Sequence, residues 1–118
     1  MNPVFEKYLK ILCETSDFTI EDFLSKNRHR ELCSYRHIFW YYMHKYQGFG
    51  YYRLGKQSHR NHSTVIHGIK CAEDYLKVPC FRQEKLHYME FLINISLYKN
   101  GNKLLCSQNS LQNKEGIN

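Results

Sequence analysis

The chain has 118 residues, of which 42% are hydrophobic and 15% aromatic, and it carries a formal net charge of +6. This size suits one small domain with a single core, and the composition excludes a largely disordered chain. Residues 25 to 70 hold nine Lys and Arg against the single acid Glu31, and six of the seven His lie there too. A polyanion such as DNA is the expected partner, and a merely solvated basic surface is the alternative.

The chain shows no sign of secretion or membrane insertion. The N-terminus lacks a basic segment followed by an apolar core, and the longest apolar stretches, 38 to 43 and 91 to 98, are too short to span a bilayer. The five Cys have no C-x-x-C spacing, which favours free thiols over a disulfide framework. We expect a cytoplasmic protein with no membrane partner.

Two helices and a basic loop are predicted first. After Pro3, apolar residues recur at helical spacing over about three turns, at Val4, Phe5, Tyr8, Leu9 and Leu12. Thr19 is expected to cap a short second helix that buries Ile20, Phe23 and Leu24. Residues 25 to 30, Ser-Lys-Asn-Arg-His-Arg, then form a basic loop.

Residues 31 to about 47 are predicted to form a long central helix, with Gly48 as the left-handed residue that ends it. One side repeats large apolar residues: Leu32, Tyr35, Phe39, Tyr42, Met43 and Tyr46. Ile38, Trp40 and Tyr41 widen that surface, so we interpret the aromatic set as core and not as a base-stacking or cofactor site. Arg36, His37 and His44 leave on the polar side.

Residues 50 to 58 are predicted as the first helix of a helix-turn-helix, in which Gly55 lets the next helix approach closely. The run G-x-x-x-x-G-K over residues 50 to 56 is close to a nucleotide-binding Walker A loop. However, Gln57 stands where that loop needs Ser or Thr, and a helix instead of a strand precedes it. We therefore favour the helix-turn-helix and expect no cofactor.

Asn61 is expected to begin the recognition helix, because its side chain is a good N-cap and polar residues fill the first turn. The positive end of the helix dipole suits phosphate, and the side chains there can reach base edges in a major groove. A buried stripe is predicted at Val65, Ile69, Ala72 and Leu76. The opposite side carries Ser63, His67 and Lys70.

Pro79 is expected to end the recognition helix, and residues 81 to 98 are predicted to form a last helix with a broad apolar surface. One side carries Phe81, Tyr88, Phe91, Leu92, Ile95 and Tyr98. The other side carries Leu86, Met89, Ile93 and Leu97. We favour a helix clamped against the domain, with weak self-association through residues 81 to 98 as the alternative. Residues 99 to 118 are expected to be a disordered polar tail, which leaves one domain over residues 1 to 98.

Several ordered motifs carry a family resemblance. Residues 60 to 67, Arg-Asn-His-Ser-Thr-Val-Ile-His, resemble the Arg-Asp-His-Thr-Thr-Val-(Leu/Ile)-His signature of the C-terminal DNA-binding domain, domain IV, of the bacterial chromosomal replication initiator DnaA. Residues 25 to 30, Tyr35-Arg36-His37 and Leu54-Gly55 lie upstream at nearly the family's spacing, so the resemblance covers residues 4 to 78. It implies an all-α, helix-turn-helix domain of the Trp-repressor-like type, here with an added C-terminal helix and as a stand-alone protein.

This resemblance implies sequence-specific binding of double-stranded DNA, similar to DnaA-box recognition at a replication origin, in a bacterial or phage nucleoid. The family's ATPase domain is not among these residues, so we expect no ATPase activity, no enzymatic function and no small-molecule substrate. Neither paired acids for a nuclease metal nor an activated nucleophile stands out in the sequence. A helix-turn-helix transcription regulator, or a protein-interaction module that kept the scaffold, is the alternative.

The resemblance also assigns residues to DNA. In the family an arginine of the basic loop enters the minor groove, and the matching residue is Arg28; Arg36 and His37 match positions that touch the DNA backbone. Nonspecific phosphate contact or solvent is the alternative for Arg28 and Arg30. The expected DNA-binding residues are Arg28, Arg30, Arg36, His37, Arg60, Asn61, His62, Ser63, Thr64, His67 and Lys70.

Two further alternatives concern single residues. Asn61 replaces the family's usual aspartate, and an amide can hold adenine through N6 and N7, although it can equally serve only as a helix cap. Cys33 and His37 have an i, i+4 spacing, and His59, His62 and His67 follow, but no closed four-ligand pattern appears. We therefore expect a DNA-facing histidine cluster and no metal site.

Overall fold

The structure is a computed structural model in which residues 1–101 are described. They form six α-helices and one short 3-10 helix, and no strand occurs among them: α1 Pro3–Ser16, α2 Ile20–Leu24, α3 Arg30–Gln47, α4 Tyr51–Ser58, α5 His62–Lys77, the 3-10 turn Pro79–Phe81 and α6 Arg82–Lys99. The all-α prediction is confirmed. The predicted tail lies outside the described residues except for residues 99 to 101, and Lys99 ends α6. Within residues 1–101 no helix is long and apolar enough to cross a membrane.

Short-range sequence signals account for several helix boundaries. At the start of α2, the Thr19 hydroxyl accepts from the Asp22 N–H while the Asp22 carboxylate accepts from the Thr19 N–H, each at 3.0 Å. This reciprocal capping box satisfies two amides that a helix start leaves unpaired. Gly48 ends α3 with a left-handed φ of 74°, as predicted, because glycine adopts this conformation without steric cost. Helix α3 begins at Arg30, so the basic loop is one residue shorter than expected.

Helix α3 runs through the centre of the domain and contacts every other α-helix. The Phe39 ring meets Phe5 of α1 and Phe23 of α2 edge to face, with centroids 5.2 and 5.3 Å apart. Ile38, Trp40 and Tyr41 are buried as well, so the apolar surface of α3 extends around most of the helix. The aromatic set is core, as predicted, with the exception of the exposed Tyr46.

Helices α4 and α5 form the helix-turn-helix, and Gly55 allows their close approach. A Cβ atom on Gly55 would lie 2.6 Å from the Arg60 carbonyl oxygen, where backbone blocks it. The Arg60 N–H instead donates to the Gly55 carbonyl at 2.8 Å, and His59 takes a left-handed φ of 58° to make the turn. The predicted role of Gly55 is confirmed.

Helix α5 packs across α3 at two contacts that the sequence did not reveal. A Cβ atom on Gly68 would lie 2.7 Å from the Trp40 ring and 2.8 Å from the His37 ring, so only glycine fits at this crossing. The Trp40 indole N–H donates to the Ser58 hydroxyl at 2.9 Å in the core. This bond joins α3 to the last residue of α4, so the position of the helix-turn-helix on α3 is set by both contacts.

Helix α6 is clamped against α1 and α3, which is the interpretation that we favoured. It buries His87, Tyr88, Phe91, Asn94 and Ile95. The Asn94 amide donates to the Thr15 hydroxyl at 2.7 Å and so ties α6 to α1 inside the core. Leu92 and Tyr98, expected on the buried side, are exposed.

Candidate nucleic-acid interface

The first turn of α5 presents a polar surface to solvent. The Asn61 side-chain oxygen accepts from the Ser63 N–H at 2.8 Å, which confirms Asn61 as the N-cap. Ser63 and Thr64 are exposed, and His62 is partly exposed. On the other side Val65 and Ile69 are buried, so α5 has one face for the core and one for a partner.

Two arginines hold the basic loop in place. Arg36 extends from α3 under the loop, and its guanidinium donates to four backbone carbonyls. Its Nε donates to Phe23 at 2.9 Å, its Nη1 to Asn27 at 2.7 Å, and its Nη2 to Asp22 and Ser25 at 2.9 and 3.0 Å. Only 4% of the Arg36 surface is exposed. The backbone of the loop is therefore fixed from below, while the side chains of Lys26 and Arg28 are exposed.

Arg36 consequently does not occupy the surface position expected of a phosphate contact. All three guanidinium nitrogens already donate to carbonyl oxygens of the chain, and burial lowers the pKa of the group, with the neighbouring charge of Arg60 as the next cause. The helical phase placed Arg36 on a polar side, but in the fold that side is covered by α2 and the loop. The structure shows that Arg36 supports the loop, and its contact with DNA stays a prediction.

Arg60 fastens the same loop from the other side. Its Nη2 donates to the Ser25 carbonyl, and its Nη1 lies 3.4 Å from the Leu24 carbonyl and 3.3 Å from that of Ser58. Burial is the main cause that lowers the pKa of this half-buried group, and the charge of Arg28 lowers it further. Arg60 therefore links the loop to the turn of the helix-turn-helix, and only part of its guanidinium faces solvent.

A cationic cleft of about 460 Å³ lies between the loop and the start of α5. It is lined by Lys26, Arg28, Cys33, Arg36, His37, Trp40, His59, Arg60, Asn61 and Thr64. No carboxylate is among these residues, so the potential in the cleft favours an anion. Six of the expected DNA-binding residues meet here, and Lys26 and His59 join them. The basic run at residues 25 to 30 already predicts a role for Lys26. The sequence does not predict His59 in the cleft, because its position there depends on the left-handed turn.

His37 reaches this cleft as a neutral group. Its Nδ1 lies 2.9 Å from the Tyr75 hydroxyl, and its ring packs against Gly68. Burial lowers the pKa of His37 to about 4, and the charges of His67 and Arg36 contribute in the same direction. A neutral imidazole bonded to Tyr75 gives no charge to a phosphate at physiological pH, whereas contact of His37 with the DNA backbone stays a prediction.

The remaining expected residues lie outside the cleft. Arg30 is on the first turn of α3 and borders a separate surface cavity together with Gln83 and His87 of α6. His67 and Lys70 are exposed further along α5, and the His67 Nε2 is 3.5 Å from the Cys71 sulfur. His67 and Lys70 extend the polar face of α5, whereas Arg30 faces the cavity beside α6.

An aromatic stack beside the cleft was missed by sequence reasoning. The rings of Tyr52 on α4 and His62 on α5 lie with centroids 4.1 Å apart and planes at 22°. Tyr52 is 74% exposed, and composition alone gives no reason to pair it with His62. The helix-turn-helix geometry brings the two side chains together.

Two alternative chemistries find no support within residues 1–101. No group of three His, Cys, Asp or Glu side chains in this range is arranged to hold a metal ion. The Walker-like run at 50 to 56 lies mostly on α4, from Tyr51 onward. Its backbone N–H groups are thus largely placed in a helix and do not form the open loop that cradles phosphates.

Comparisons with known proteins agree with this geometry. The family described as bacterial dnaA protein helix-turn-helix matches residues 5–71. A chromosomal replication initiator protein DnaA from Pseudothermotoga lettingae is 33% identical over 69 residues, which is 58% of this chain and 16% of that protein. The chain thus spans about one sixth of the length of this relative. No solved structure matches the chain. The match over more than half of the sequence, on a fold with the helix-turn-helix in the expected place, shows that the chain belongs to the DnaA C-terminal helix-turn-helix family, a family of DNA-binding domains.

Proposed function

We propose that this domain recognises double-stranded DNA sequence-specifically, at a site similar to the boxes that replication initiators read. The observation that carries the proposal is the cationic cleft, which sets the exposed first turn of α5 beside the rigid basic loop. A helix end with free polar side chains fits a major groove, and an arginine held nearby fits the adjacent minor groove.

In this proposal the contacts divide into three kinds. His62, Ser63 and Thr64 face base edges, because they occupy the exposed first turn of α5. Arg28 enters the minor groove from the loop that Arg36 and Arg60 hold. Lys26 and Lys70 neutralise phosphates on either side and add affinity without sequence preference.

The biological role that we propose is recognition of an origin-type box, without nucleotide hydrolysis by this domain. The helical Walker-like run on α4 offers no loop for nucleotide phosphates. Occupation of such boxes would mark an origin or compete with an initiator for it. A transcription regulator with the same scaffold would read an unrelated sequence.

Selection of bound sequences from random duplex DNA tests the proposal. We expect a motif related to the initiator box, with an A·T-rich end under Arg28. An unrelated motif would favour transcription regulation, and failure to enrich any motif would contradict sequence-specific binding. With about four phosphates neutralised, log K should fall with log salt concentration at a slope of about −3 to −4.

A second proposal concerns self-association through α6. Leu86, Met89 and Ile93 follow one another at helical spacing on its outer side and are each about half exposed. Sedimentation should show a dimer at high protein concentration that Leu86→Glu abolishes. A monomer at all concentrations would contradict it.

A further inference from the structure

We propose that Tyr52 is a specificity-determining residue that acts by holding the His62 ring in the orientation that meets DNA. The inference rests on the proposed DNA reading by α5 and adds a residue from α4. Its basis is the stacked contact between the two rings, with centroids 4.1 Å apart and an interplanar angle of 22°.

The orientation of the His62 ring affects DNA binding because of where the residue lies. It is the first residue of α5, directly after the Asn61 cap, where a side chain projects from the end of the recognition helix. Within residues 1–101 neither ring nitrogen of His62 has a hydrogen-bond partner, so both are available to base edges or phosphate. An unsupported side chain at a helix end samples several rotamers and loses that freedom on binding. The stack with Tyr52 removes much of this freedom before DNA arrives.

Burial in the core does not explain the ring of Tyr52. It is 74% exposed and lies on the solvent side of α4, where it borders a groove lined by Arg53, Lys56, Arg60, Asn61 and His62. An exposed aromatic ring over a cationic groove is poorly explained by folding stability. The Tyr52 ring is well explained as the stacking partner that holds His62, since offset stacking of aromatic rings is favourable and directional.

The neighbouring residue provides a matched control. Tyr51 is also on α4 and also stacks on a histidine, His44, with centroids 4.5 Å apart and planes at 21°. Tyr51→Ala therefore removes the same side chain and the same kind of stack, one residue away, without touching His62. Tyr52→Phe keeps the stacked ring and removes only the hydroxyl.

The stack itself is tested in the free protein. The imidazole proton resonances of His62 should be shifted upfield by the Tyr52 ring in NMR spectra. We expect Tyr52→Ala to abolish this shift, and Tyr52→Phe and Tyr51→Ala to retain it. A His62 spectrum that is unchanged in Tyr52→Ala would overturn the inference without involving DNA.

The effect on recognition is tested by a double-mutant cycle on the duplex selected by the wild-type protein. Tyr52→Ala should weaken binding to this duplex about threefold to tenfold, the range expected for one aromatic pair, and leave binding to a scrambled duplex unchanged. In a His62→Ala background the same change should have no further effect. Equal losses in both backgrounds would show that Tyr52 acts alone and overturn the inference, while the proposed function would stand. A wild-type protein that binds both duplexes equally would overturn both proposals.

Discussion

The substitution Arg36→Gln separates support of the loop from contact with phosphate. Arg36 is 4% exposed and donates to four backbone carbonyls, whereas a glutamine amide has two N–H groups on a shorter side chain. At least two bonds from a charged donor are lost, at about 1.5–3 kcal/mol each. We therefore expect the free energy of unfolding to fall by about 3–6 kcal/mol, a large part of the about 5–15 kcal/mol typical of a domain.

Arg28→Gln is the matched control, since it makes the same substitution at an exposed position of the loop that Arg36 supports. Its free energy of unfolding should change by no more than about 0.5 kcal/mol. Its slope of log K against log salt concentration should become less steep by about 1, because one positive charge at the DNA is lost.

Urea denaturation followed by circular dichroism gives the stability of each variant, and salt titrations of DNA binding give the slopes. The salt titration of Arg36→Gln is made at a temperature at which the variant remains folded. If Arg36→Gln kept the stability of the parent and only flattened the salt dependence, the assignment of Arg36 to the loop would be wrong. A reduced stability with an unchanged slope is the expected outcome.

Three further predictions follow from single contacts. Gly68→Ala should lower the free energy of unfolding by about 1–2 kcal/mol, because overpacking against Trp40 exceeds the gain in helix propensity. Thermal unfolding should show no comparable loss for Gly50→Ala, because a Cβ atom on Gly50 would meet nothing within 4 Å. The pKa of His37 is lowered to about 4 from an ordinary value of 6.5, so the stability contributed by its neutral form is full above pH 6.5 and is lost as the pH falls towards 4. Denaturation at pH 7 and pH 5 should differ by about 2 kcal/mol from this group, and His37→Gln should remove that part of the difference. Asn61→Asp should keep the cap on Ser63 but shift base preference towards cytosine by about 1 kcal/mol or more in competition assays, whereas an unchanged preference would limit Asn61 to capping.

Those features that depend on a few neighbouring residues were predictable from the sequence. The Thr19 cap, the left-handed Gly48, the close approach at Gly55 and the Asn61 cap all act within one helical turn or one tight turn. The two faces of α5 followed from periodicity for the same reason, since a helix that packs on one side repeats its buried residues every three or four positions. The order of the helices and the helix-turn-helix could therefore be predicted without knowledge of any tertiary contact.

The roles of charged and polar residues in α3 could not be predicted from such local patterns. Periodicity assigns a polar side to a helix by assuming that one side faces water, but α3 is surrounded by other helices. Arg36 finds its partners 9 to 14 residues back in the chain, and Trp40 finds Ser58 18 residues ahead. Such pairs are set by the packing of the whole domain, so no local rule distinguishes a buried, fully bonded arginine from one that faces a phosphate.

The bonds of Arg36 and Arg60 meet at one atom, the carbonyl oxygen of Ser25, which accepts from both guanidinium groups. Arg36 belongs to the central helix and Arg60 to the turn before α5, so the basic loop is fixed at once to the core and to the recognition helix. An arm that enters a minor groove contributes selectivity only if its distance from the major-groove helix is defined before binding, since a free arm loses conformational entropy on DNA. In the proposed complex, the bonds of the two arginines to the loop would set the distance between the loop and α5. If the domain binds DNA as we propose, Arg60 contributes the spacing of the two contacts as well as a positive charge.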